Sequence, residues 1–179
     1  MNNSYLEIIA ILILIAANGF FSLSEFSIIA SRKSRLKHMA DEGNHAAARA
    51  AKIKAKPESF LATVQIGITV VGVLAGVFSG MTFVGALEPY IAMIPVEFIS
   101  HSARHLSFII IVAAISFLTI VIGELIPKYL ALSRPERFAA QVSRPMLWFS
   151  RASFFLVKFL NGSTRLILRL FGLKKIPER

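Results

Sequence analysis

Apolar residues are gathered into three long runs, and the polar positions within and between those runs define the elements the chain forms. A hydrocarbon core about 30 Å thick is crossed by about 20 apolar helical residues. Runs of that length predict spans at about 5–29, 59–80 and 105–127, and with them an all-α integral membrane fold.

The first run starts at Tyr5, an interface anchor, and changes character after Ile15. Asn18, Ser22 and Glu25 then share one face of a helix, while Phe20, Phe21 and Phe26 cover most of the rest. Ser22 on this stripe either lines a ligand site or hydrogen-bonds a neighbouring helix, and Glu25 reads as a marker of the inner interface. In the second run Gln65, Thr69, Gly72 and Gly76 fall on one face. Gly72, Gly76 and Gly80 form a doubled G-x-x-x-G, which lets another backbone come close in a dimer or within one subunit. The third run contains Gly123-Glu124-Leu125-Ile126-Pro127-Lys128. A carboxylate in a span costs about 3 kcal/mol or more, so it calls for a partner or a task. Pro127 has no N–H to offer the Gly123 carbonyl. The acid and the freed carbonyl together make an oxygen-rich site.

Outside the spans, juxtamembrane amphipathic helices are expected over about 31–56 and 135–171. In the second of these Arg144, Arg151, Lys158 and Arg165 recur every seven residues and Arg169 follows, the pattern of a helix lying in the headgroup plane. Asn161-Gly162 is expected to break it in two. Glu97, His101 and His105 fall at four-residue intervals, which on one helix would suit a metal, although wet loops before spans carry such residues without binding anything.

Charge adds orientation. The 179 residues are 55% apolar, contain no cysteine and carry a net charge of +10. That excess would suit nucleic acid if it formed one patch, but every Lys and Arg except Arg104 lies within 32–56 or 128–179. The positive-inside rule then places both groups in the cytoplasm and the N-terminus and the 81–104 loop outside. The chain is therefore read as a multi-pass protein of the inner (plasma) membrane that touches anionic lipid and not nucleic acid. With no nucleophile–base pair in the sequence, an enzyme is not expected.

Three motifs, Asn18-Gly19-Phe20-Phe21-Ser22-Leu23-Ser24-Glu25, Thr63-Val64-Gln65-Ile66-Gly67-Ile68-Thr69 and Gly123-Glu124-Leu125-Ile126-Pro127-Lys128, occur in order. In them the chain resembles the transmembrane domain of the CorC/CNNM family, the hemolysin-like magnesium-transport proteins. The resemblance covers nearly all of 1–179. It implies a homodimer with three spans per subunit, a belt of juxtamembrane helices, and cytoplasmic nucleotide-binding CBS modules in a longer protein of which this chain is expected to be a part. It also implies an ion site built from a span-one serine, a span-two asparagine and the span-three glutamate. Ser22 and Glu124 match two of these, while isoleucine, Ile68, stands where the asparagine would be. Mg²⁺ needs near-octahedral oxygen ligands, which Thr69 or Gln65 would have to complete. Some relatives with the Gln-x-Gly-x-Thr version are associated with polyamine export.

The resulting expectation is cation transport through an inward-facing acidic cavity, with Mg²⁺ as substrate ion and not as catalytic cofactor. Ser22, Gln65, Thr69, Gly123 and Glu124 are the candidate binding residues, with Ser22 and Glu124 as metal ligands. Asn18, Gly72, Gly76, Gly80 and Pro127 are assigned to structure. Polyamine export, or a non-transporting dimeric anchor and signalling platform for cytoplasmic modules, are the alternatives.

Overall fold

The computed structural model describes residues 2–171, and the regular structure among them is entirely helical. Three helical rods are long and apolar enough to cross a membrane. The first is α1 (Asn2–Ala30) and the second is α4 (Glu58–Ala92). The third is composite: α6 (Ala103–Ile120), a π-helical turn (Val121–Leu125) and α7 (Ile126–Ser133) run on without a break. Shorter helices connect and brace them: α2 (Lys33–Asp41), α3 (His45–Ala55), α5 (Glu97–His101), α8 (Pro135–Ala152) and α9 (Phe154–Leu170).

The packing is tightest at one end. There α1 lies against α4, the π-turn, α7 and α8, while α3 packs on α2 and α8. Ile28, Leu36, Ala47, Ala50, Val64, Ala139 and Met146 form the buried core of that end. Small residues on α3 and α8 let the helices approach, and Leu36 and Met146 fill the space between them. Towards the other end the apolar surface stays uncovered, with Val73, Val77, Phe108, Ile109 and Phe117 all exposed. Lipid tails are as apolar as these side chains, so a bilayer solvates them at no cost and nothing drives them inward.

Several boundaries differ from the sequence reading. The second rod does not stop near residue 80 but continues through Glu88 and Pro89 to Ala92, because Pro89 sits in the last turns and forfeits only the bond to the Gly85 carbonyl. The third does not end at Pro127. A wider π-turn precedes the proline, and helix resumes to Ser133. The stretch after the first span agrees with the turn-like Asp41-Glu42-Gly43-Asn44 in its sequence: it is two helices separated at Gly43, whose φ of +91° suits glycine, and the second is capped by Asn44, whose Oδ1 accepts the Ala46 and Ala47 N–H groups at 3.0 Å. The amphipathic stretch breaks at Ser153 and not at Asn161-Gly162, which lie inside α9. A glycine in a helix costs only about 1 kcal/mol relative to alanine, too little to end one held by its apolar face. Glu97 and His101 are on α5 and His105 on α6, so they share no helix, and no group of three metal-binding side chains occurs among the described residues. Gly72 and Gly76 lie on an exposed face of α4. The surroundings of Gly80, the side chains of Arg165 and Arg169, and Lys174, Lys175 and Arg179 lie outside the described residues.

Candidate cation site

The π-turn decides the geometry of the third span. The Ile126 N–H reaches back five residues to the Val121 carbonyl, which widens the helix just before Pro127. Proline leaves the Gly123 carbonyl without its helical donor. Asn18 supplies one from another helix: its Nδ2 donates to the Gly123 oxygen at 3.1 Å, across the buried seam between α1 and the π-turn. One turn along α1, the Ser22 hydroxyl donates to the Glu124 carbonyl at 3.3 Å. Two consecutive carbonyls of the third span are thus read by two consecutive positions of the span-one stripe.

Glycines make this approach possible. A Cβ on Gly123 would come within 3.0 Å of Asn18 Nδ2, and one on Gly19 within 3.2 Å of Pro127 Cγ. Asn18 and Ser22 are buried as a result. Asn18 Oδ1 has no hydrogen-bond partner, leaving one buried oxygen lone-pair site beside the seam.

The carboxylates lie next to this seam. Glu124 is exposed on the third span, and Glu25, one turn beyond Ser22 on α1, is half-buried and close enough for the two charges to act on each other. Among the described residues neither carboxylate takes part in an ion pair or hydrogen bond. Beside them, Lys128 does not pair with Glu124 four residues earlier. Its ammonium sits over the Phe26 ring, 4.7 Å from the centroid. This end of the seam therefore holds two acids outside any ion pair among the described residues and an aromatic face that carries the Lys128 ammonium.

Of the residues singled out from the sequence, Asn18, Ser22, Gly123, Glu124 and Pro127 come together. Gln65 and Thr69 do not join them. Gly67 lies against α1, where an added Cβ would be 2.6 Å from the Phe21 ring. Residues two positions either side of it therefore point to the opposite face of α4. Gln65 and Thr69 are exposed there, and the Thr69 hydroxyl donates to the Gln65 carbonyl at 2.8 Å. Ile68 packs against the apolar core. Glu25, read from the sequence as a marker of the inner interface, lies near Glu124. Its place on the Asn18–Ser22 stripe was the available signal, but a stripe position near a span end fits an interface marker equally well.

A family model for the cyclin M transmembrane N-terminal domain matches residues 8–179 of this chain. The UPF0053 protein sll0260 of Synechocystis is 40% identical over 168 residues, which are 94% of this chain and 37% of that protein. The UPF0053 protein YhdP of Bacillus subtilis is 36% identical over 173 residues, 96% of this chain and 38% of the relative. A polyamine export protein of Escherichia coli K12 is 35% identical over 172 residues, again 96% of this chain and 38% of the relative. The chain thus spans less than half the length of these curated relatives.

Proposed function

The chain belongs to the cyclin M transmembrane N-terminal domain family, and from that premise we propose that it passes a cation across the membrane, with an organic polyammonium as cargo. The observation that carries this reading is the pair of carboxylates, Glu25 and Glu124, which lie near each other and which no ion pair or hydrogen bond among the described residues engages. Uncompensated acids at membrane depth are costly and mark ion pathways. A polyamine asks for separated acids and apolar or aromatic walls, and it keeps its charges on nitrogens that hydrogen bonds can satisfy.

Mg²⁺ asks for more. It sheds water reluctantly and takes near-ideal octahedral oxygen ligation. Ile68 offers no side-chain oxygen and packs against the core, and Gln65 and Thr69 face away from α1. One observation favours the metal as a second reading: the partnerless Asn18 Oδ1 is a buried oxygen next to the Gly123 carbonyl. The similarity to a polyamine export protein weighs for the organic cation. The acids lie towards the end of the spans where the basic residues gather, which the positive-inside rule makes cytoplasmic, so the site opens to the cytoplasmic side.

Reconstitution into liposomes tests both cargoes at once. The reading expects spermidine flux well above that of protein-free vesicles and little Mg²⁺ flux. Mg²⁺ flux alone would transfer the site to the metal, and flux of neither would remove the transport function.

A further inference from the structure

Two of the three spans leave the apolar slab next to each other, and the chain folds over itself directly beyond that level. α2 begins three residues after α1 ends, and α8 begins two residues after α7 ends. Between them lies an open groove of about 420 Å³, in which Arg35 and His38 of α2 face Ser133, Arg134, Glu136 and Arg137. Three arginines line it against a single acidic residue.

That carboxylate already has work inside the fold. One Glu136 oxygen accepts the Arg32 N–H at 3.1 Å, and the other lies 3.8 Å from Arg35 Nη1. Glu136 is 8% exposed, so it acts as a buried tie between α2 and α8. Arg35 remains 69% exposed, and neither Arg134 nor Arg137 enters a side-chain hydrogen bond or ion pair among the described residues. The side-chain donors of Arg134 and Arg137 are uncommitted, and Arg35 is engaged only by its 3.8 Å ion pair to Glu136.

A guanidinium is a planar fork of donors that matches the paired oxygens of a phosphate or a carboxylate, and three arginines around one groove suit such an oxyanion better than a halide. Depth identifies the source of the oxyanion. Tyr129, Leu130 and Leu132, on the last turns of the third span, are exposed apolar residues immediately on the bilayer side of Ser133. A lipid whose phosphate sat among the arginines would lay its acyl chains along that strip, whereas a soluble phosphate has no use for it. We propose that the groove is a seat for the headgroup of an anionic phospholipid, held by Arg134 and Arg137 with Arg35. Basic pockets at the inner ends of spans recognise such headgroups by charge and shape together. The proposal does not depend on which cation, if any, the chain carries.

Native mass spectrometry of the purified chain, titrated with phosphatidylglycerol, phosphatidylcholine or inorganic phosphate, tests it. The wild-type chain is expected to retain phosphatidylglycerol about tenfold better than phosphatidylcholine. The double variant Arg134→Gln/Arg137→Gln should lose that preference, with the Glu136 tie left intact. Arg144→Gln/Arg151→Gln, an equal loss of charge on the same helix but outside the groove, should keep it. Equal loss in both variants would overturn the groove in favour of diffuse charge. Displacement of the lipid by inorganic phosphate at comparable concentration would overturn the lipid as its ligand.

Discussion

Phe21 shows how little room the seam between α1 and α4 leaves. Its ring is buried, tilted against Phe149 with centroids 4.8 Å apart, and closes directly over Gly67. A methyl group there would lie 2.6 Å from carbons of a buried ring that packs against Phe149. Gly67→Ala should therefore destabilise the chain by about 1–3 kcal/mol, the usual cost of overpacking, read as a lowered melting point in detergent. Gly72→Ala, with nothing within 4 Å of the new methyl inside the chain, should not lower it and should raise stability by up to about 1 kcal/mol through helix propensity. Residue chemistry was partly legible in the sequence. Glu124 and Pro127 announced themselves by standing where an apolar helix does not want them, and the stripe of Asn18 and Ser22 followed from helical spacing. What spacing along one helix cannot give is the partner: Asn18 meets Gly123 across 105 residues of sequence. For the same reason Glu25 gained its meaning only once Glu124 was seen beside it.

At the scale of elements, the π-turn is the feature that a linear reading mistakes for an end. Pro127 removes one helical donor, and the ordinary inference is that helix stops there. The extra residue in the turn and the side chain of Asn18 together replace what proline takes away, so the span continues to Ser133. This makes the join of α1 to the third span dependent on a bare Gly123. In Gly123→Ala the new carbon would press on Asn18 Nδ2 at 3.0 Å and on the Ile15 carbonyl at 3.4 Å. The expected result is a loss of about 1–3 kcal/mol of stability from overpacking together with the broken hydrogen bond. Spermidine binding should weaken as well, because Glu124 rides on the displaced turn. Unchanged melting and unchanged binding would mean that the seam is softer than its distances indicate. Pro89 likewise sits inside a continuing helix, close to its end, where a missing bond costs little.

For the molecule as a whole, the number of spans and the helical class were readable because a bilayer imposes length and apolarity on any segment that crosses it. The distribution of packing was not readable. Apolar residues that pack in the core and apolar residues that face lipid look alike in sequence, as Ile28 and Ile109 do, one fully buried and the other 62% exposed. The outcome is a bundle fastened at its basic end by α2, α3 and α8, with Glu25 and Glu124, in no ion pair among the described residues, next to that fastening. The whole account rests on Glu124 holding a positive charge that is not its own neighbour's. The direct measurement is equilibrium binding of labelled spermidine to the purified chain and to Glu124→Gln, with Glu88→Gln as a control in the far part of α4. Loss of one charge-assisted contact should weaken binding by about 1.5–3 kcal/mol, or roughly 10- to 150-fold, in Glu124→Gln alone. Equal affinity in the wild-type chain and Glu124→Gln would contradict the account.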